Sequence, residues 1–172
     1  MSLVTYNQQQ AIKAISVNNA SKYDSIATEV EAIELSDLLG VALLQDVQDN
    51  PLTTHNTELL DGATFEDCNG NIIKQKGLRY VLAYFNYAKY IGESFVNDTF
   101  TGFVVKNREE SDIISEGTVK RLQLENRKIA MREWELVKAY LNENTANFPL
   151  WLCDTTKQVF NPKFTFIRNT VN

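Results

Sequence analysis

The chain has 172 residues, 44% hydrophobic and 23% charged, with a formal net charge of −5. That is enough for one domain with its own core, and it lacks the basic excess of a dedicated duplex-binding protein. No run of about 18 apolar residues occurs, so no helical membrane span is expected, and "MSLVTYNQQQ" lacks the basic-then-apolar layout of a signal peptide. The two cysteines, Cys68 and Cys153, fit reduced thiols in a cytoplasmic product better than a disulfide framework.

In chain order, residues 1–20 read as an irregular N-terminal arm, with a short strand-like alternation in "AIKAISV". Ser21 or Asp24 is placed to cap a helix running to Glu34, and Ser36 or Asp37 a second through "LLGVALLQDVQ", stopped by Asn50 and Pro51. "DGATFEDCNGNIIKQKG" predicts a β-hairpin near 63–76, with Asn69-Gly70 in the turn and Thr64, Phe65, Ile72 and Ile73 on the strands. A helix follows over 78–96, then a loop with an extended piece from Phe103 to Lys106, then a long helix from Glu116 to Asn142 ended by "NFPLW". The remainder, 144–172, reads as a C-terminal arm whose "QVFNPKFTFIRNTVN" alternates like a strand. The expected class is therefore mainly α: a single helical-bundle domain over 21–143, with a small β-hairpin and extended terminal arms.

The helix at 78–96 is apolar over roughly 180–220° of its girth, against a little over 100° for an ordinary surface helix. Arg79, Asn86 and Glu93, with Lys89 and Ser94, make its only polar stripe. Val81, Leu82, Phe85 and Ala88 are expected in the core. Two readings remain for the rest: the helix is surrounded within its own bundle, or the flank with Tyr80, Tyr84 and Tyr87 packs on another subunit, a role that suits tyrosine. The long helix carries the seam Val119, Leu122, Asn126, Ile129, Glu133, Leu136 and Tyr140. Leu122, Ile129 and Leu136 are its expected core members, and Arg79 is the intramolecular candidate to partner Glu133. Off that seam lie Leu124, Met131, Trp134 and Leu141; either the helix packs twice or this second face is an interface. Phe100 and Phe103, in the connecting loop, join these as candidate interface residues.

Charge is uneven. Residues 1–73 hold 11 acids and 2 bases, and residues 74–172 hold 11 acids and 15 bases. Either the two halves fold together and neutralise, or unlike faces bind copies head to tail, a heterologous contact that closes into a ring or grows into a filament.

No chemistry is legible. His55, the single histidine, stands in an expected loop without CxxC, HxH or HExxH context, and no phosphate-binding glycine motif occurs. Adjacent acids such as Glu66-Asp67 and Glu109-Glu110 read as solvated surface. No catalytic, cofactor or metal residues are assigned, and no enzyme activity is expected.

Five segments carry a resemblance by their order: "ELSDLLGVALLQDV", "LLDGATFEDCNGN", "KGLRYVLAYFNYAKYIG", "TFTGFVVKNREES" and the long helix ending "YLNENTANFPLW". Across residues 30–151 the chain resembles the small helical head–tail connector proteins of tailed bacteriophages, in particular the version in crAss-like and related phages of gut Bacteroidota. The resemblance implies a virion structural protein at the head–tail junction, assembled in the host cytoplasm. It implies a ring, commonly of twelve copies, beneath the portal protein. Such a ring extends the channel through which genomic DNA passes without sequence-specific binding, and is a platform for the next neck or tail ring protein. It transfers no catalytic residue. A tail-tube, collar or head-decorating protein is the first alternative. The second is a cytoplasmic regulator binding nucleic acid or protein through Lys120, Arg121, Arg127, Lys128 and Arg132, although interleaved Glu125, Glu133 and Glu135 favour a salt-bridged face there.

Overall fold

The structure is a computed structural model and describes residues 2–16, 20–99, 102–105 and 115–151. It is mainly α with small β-hairpins. The helices are α1 (Tyr6–Ile12), α2 (Ala20–Val30), α3 (Ser36–Leu39), α4 (Val41–Asp49), α5 (Thr54–Asp61), α6 (Leu78–Phe95) and α7 (Glu116–Glu143). Strands β1 (Ala63–Glu66) and β2 (Ile72–Gln75) form one antiparallel hairpin, and β3 (Val96–Thr99) and β4 (Gly102–Val105) a second.

The N-terminal arm expected from the sequence is instead folded onto the bundle. Thr5 and Gln8 form a capping box that starts α1, the Thr5 side chain accepting from the Gln8 amide and Gln8 Oε1 from the Thr5 amide. Leu3 and Val4 are buried. Gln9 is buried too, and its Nε2 donates to the Lys13 and Ala83 carbonyls at 2.8 and 3.1 Å. Ala11 and Ile12, the start of the supposed strand alternation, end a helix. Polar side chains satisfied by backbone groups make this packing possible, and alternation alone could not reveal them.

α2 continues through a π-helical turn, Glu31–Leu35, directly into α3. Leu35 and Ser36 both have helical backbone angles, so neither Ser36 nor Asp37 opens a new helix, and the break comes at Gly40. α4 ends at Asn50 as expected. The segment after Pro51 is not all loop. Thr53 accepts from the Asn56 amide and caps α5, which carries His55. Buried Asn56 donates to the Asn50 carbonyl at 3.0 Å and ties α5 to the end of α4.

The first hairpin forms where its sequence places it, with Phe65 opposite Ile73 and Glu66 opposite Ile72. Its turn is wider than an Asn-Gly pair requires. The Gly70 amide bonds the Asp67 carbonyl at 2.9 Å, the Asp67 amide bonds the Asn71 carbonyl at 3.0 Å, and Gly70 alone takes positive φ. This is a type I turn followed by a left-handed glycine. The Asp67 carboxylate accepts from the Asn71 side chain and from the Asn71 and Asn69 backbone amides, which holds its pKa below the usual range. Gly77, at φ +86°, leads into α6, and a Cβ there would stand 2.2 Å from the Leu60 carbonyl oxygen.

α6 is the central helix, packed by α1, α2, α5 and α7. Val81, Leu82, Phe85 and Ala88 are buried as expected. The main core adds Ile26, Val30, Leu39, Val47, Leu59 and Trp134, among others. α7 runs antiparallel beside α6, with Gln123 against Gly92 and Lys76, just before α6, against Glu133. Its buried face is Val119, Asn126, Ala130, Trp134, Val137, Tyr140 and Leu141. The expected seam is thus rotated. Ile129 is 39% exposed, and Leu122 and Leu136 are only half-buried. After α7 the chain turns back, and Phe148 and Trp151 bury themselves against it, so 144–151 is not an extended arm.

Candidate interaction surfaces

The polar stripe on α6 is only partly open to solvent. Asn86 is buried and donates through Nδ2 to the Tyr23 hydroxyl at 3.2 Å, and that hydroxyl donates to the Val4 carbonyl at 3.1 Å. Arg79 donates Nε to the Leu3 carbonyl at 2.9 Å and pairs with Asp61. It therefore does not partner Glu133, which Lys76 binds at 2.9 Å. Lys89 bonds Glu29 at 2.8 Å, and Lys22 lies 3.7 Å from Glu93. Arg127 forms a two-pronged pair with Glu34 and sits over the Phe85 ring. The acidic first half and basic second half neutralise within one subunit at Arg79–Asp61, Lys89–Glu29 and Arg127–Glu34.

Tyr80, Tyr84 and Tyr87 form a half-buried aromatic ridge on α6, with Tyr87 also packed against the small cluster of Ile15, Tyr23 and Ala27. The Tyr80 and Tyr84 rings are 5.1 Å apart and their hydroxyls 3.3 Å. Lys76 stands 4.3 Å from the Tyr80 ring and Lys13 4.7 Å from the Tyr87 ring, both within cation–π range. The Glu133 carboxylate, by hydrogen bonding, raises the Lys76 ammonium pKa, so that cation is fixed over the ridge. The hydrogen bond to Tyr80 raises the Tyr84 hydroxyl. Exposed Ile129 lies four residues before Glu133, on the same flank of α7 as this ridge by helical spacing.

Leu124 and Met131, 60% and 39% exposed, are spaced by seven residues and lie on the opposite flank of α7, the side where Arg127 reaches Glu34. Exposed Ile33 precedes Glu34 in the chain. Of the interface candidates, the three tyrosines gather on one face, and Leu124 and Met131 on another. Trp134 belongs to neither: it is 3% exposed and meets Trp151 edge to face at 6.1 Å. Its position between the two α7 stripes left it undecided, and the returning 144–151 segment covers it. Phe100 and the Phe103 side chain lie outside the described residues.

Two features escape sequence reading. The first is a cleft of about 500 Å³ between β1 and the end of α7, walled by Glu58, Ala63–Glu66, Tyr140, Glu143 and Asn144. Its Tyr140 hydroxyl donates to Glu58 at 2.8 Å, and burial first, then that bond, pushes the phenol pKa up. The second is an apolar hollow where His55 lies edge-on to Phe148 at 6.3 Å, next to exposed Leu150. Among the described residues no group of three His, Cys, Asp or Glu is arranged to hold a metal, and no helix is long and apolar enough to cross a membrane.

Residues 35–161 match a family described as a family of unknown function, DUF6712. The chain belongs to that family. No curated protein and no solved structure matches it. The DUF6712 span begins inside the π-helical turn and takes in the first hairpin, α6, α7 and the cleft, leaving α1 and α2 outside.

Proposed function

We propose that this DUF6712 protein is a structural subunit of a tailed-phage virion. It closes into a ring, commonly of twelve copies, beneath the portal at the head–tail junction. The ring extends the DNA channel and seats the next neck or tail component. The observation that carries the reading is the pair of unlike, partly exposed faces on α6 and α7: the tyrosine ridge with its lysines on one flank, and Leu124 with Met131 on the other. A ring subunit needs two different lateral surfaces, because each contact joins one face to a different face of the next copy. These faces lie in the segments that resemble portal-bound connectors.

The regulator alternative draws less support from α7. Lys120 bonds Glu116 at 2.6 Å, Arg121 lies 3.8 Å from Glu125, and Arg127 is held by Glu34. Three of the five cations named for that stripe are engaged in this way, which thins the free basic stripe that phosphate binding requires.

Reconstruction of intact particles, or of a portal complex, tests the proposal. The expected result is a ring of this chain directly below the portal. A ring elsewhere along the tail gives it a tail-tube or collar address. Absence from particles, with the chain free in infected cells, overturns it.

A further inference from the structure

β1 is hydrogen-bonded on one side only among the described residues, to β2. The Asp67–Asn71 bond sets which residues face across the hairpin. Phe65 and Ala63 pair inward with Ile73 and Gln75, so the N–H and C=O groups of Thr64 and Glu66 point away from β2. That outer edge runs along the 500 Å³ cleft. Side chains alternate along a strand, so four consecutive residues, Ala63 to Glu66, can share one wall only if the wall is the backbone edge itself.

The cleft is also negative. Glu58, Glu66 and Glu143 line it and no lysine or arginine does. The C-terminal ends of α5 and α7 close by add the negative poles of two helices. An uncovered edge beside three carboxylates fits an extended, acid-free, cationic segment that adds as a strand.

The chain contains such a segment. Residues 155–172 include Lys157, Lys163 and Arg168 and no acid. After Pro162, "KFTFIR" is rich in aromatic and β-branched residues, the composition favoured in strands. Trp151 lies back along α7, against Trp134 and hydrogen-bonded to Asn142 at 2.9 Å, so by residue 151 the chain has doubled back from the cleft at the end of α7.

We propose that the cleft receives residues 163–168 of a second copy, which add to β1 as a third strand whose two cations, Lys163 and Arg168, stand at opposite ends and on opposite faces, each toward the carboxylates on its own side. Cleft and tail are different surfaces, so the exchange can either propagate head to tail or close reciprocally between two copies. It stands without the ring reading, since it concerns contact between copies wherever they assemble.

Full-length chains carrying Glu66→Lys with Glu143→Lys, and others carrying Lys163→Glu with Arg168→Glu, are compared with wild type by sedimentation. Glu66 and Glu143 are exposed, so the cleft variant should stay folded, as circular dichroism checks. Each variant alone should self-associate about tenfold more weakly than wild type, and mixing the two should restore association, because each tail then meets an opposite cleft. Thr64→Pro removes an outward N–H without breaking the β2 ladder and should weaken association with the hairpin intact. Three results overturn the proposal: variants that associate like wild type, a mixture that restores nothing, or a wild-type chain still monomeric at about 1 mM. Protection of the Thr64 and Glu66 amides that does not depend on concentration would place the chain's own tail there instead. If association fails while particles still hold a ring, only the strand exchange falls. If mixing restores association while particles lack the protein, only the ring falls.

Discussion

Glu31 shows how a single buried residue can hold a whole segment. It is 3% exposed and accepts from the Ser2 hydroxyl and, at 2.7 Å, from the Leu3 amide, both at Oε1. Burial raises its pKa above the usual carboxylate range, against the lowering effect of those bonds. A raised folded pKa means that the folded state holds a proton where the unfolded state has lost it. Stability from this group is fully present below the unfolded pKa and falls as pH rises through the folded one. Glu31→Gln keeps an acceptor at Oε1 and removes that slope, so the variant should be at least as stable as wild type at neutral pH. Glu31→Ala should lose about 1–3 kcal/mol by leaving a buried donor unpaired. Denaturant midpoints measured from pH 4 to pH 8 separate these cases, and a wild-type slope unchanged in Glu31→Gln would refute the assignment. Trp134 makes the complementary point for apolar burial. Its face of α7 suited core and interface equally in sequence, but the Trp151 ring covers it. Trp134→Ala should therefore destabilise the isolated subunit by about 3–5 kcal/mol, and Phe85→Ala by a similar amount. A Trp134→Ala subunit with an unchanged midpoint but impaired assembly would return the residue to the interface.

At the scale of elements, α6 and α7 present a shared buried seam and two outer flanks. Leu124→Asp with Met131→Asp changes one flank without touching the seam, since both side chains are exposed. The pair should change the unfolding free energy by less than about 0.5 kcal/mol, as surface substitutions do. If that flank is a lateral contact of the proposed ring, the pair should abolish assembly on a portal. Co-sedimentation of purified portal with the variant decides this; normal incorporation would remove the flank from the interface. The turn between β2 and α6 is less tolerant. Gly77→Ala puts a Cβ into the Leu60 carbonyl at a positive φ, so α5 or the hairpin has to shift. Its cost should exceed the roughly 1 kcal/mol of an ordinary glycine substitution in a strained turn.

Across the whole molecule, the acidic and basic halves meet inside the subunit through Arg79–Asp61, Lys89–Glu29 and Arg127–Glu34. Each pair is partly exposed and contributes little to stability by itself. Charge left over at the cleft is what the proposed strand exchange would use. Self-association should therefore weaken as salt rises, because exposed charges are screened beyond roughly 8 Å at physiological ionic strength, down to a floor set by apolar contact. Sedimentation between low and high salt measures that floor; association that strengthens with salt throughout would make the contact wholly apolar.

Periodicity and turn chemistry determined α6, α7, the first hairpin and the four innermost residues of α6, because those signals are local and repeat over many residues. The sequence also marked Tyr80, Tyr84 and Tyr87 as one face, since helical spacing alone brings them together. Other features depended on partners distant in the chain. α1 is held by glutamines bonded to backbone carbonyls, including Ala83, and its Thr5-x-x-Gln8 box was the one local sign of it. α5 is too short for its period to register, and Thr53 was its only start signal. Which flank of α7 is core was decided by the return of Phe148 and Trp151, and whether the α6 polar stripe is wet by the arrival of Tyr23. The acidic cleft joins residues from α5, β1 and α7 that no spacing rule connects. A helix face becomes core or surface through what packs on it, and that is a property of the closed chain rather than of any window within it.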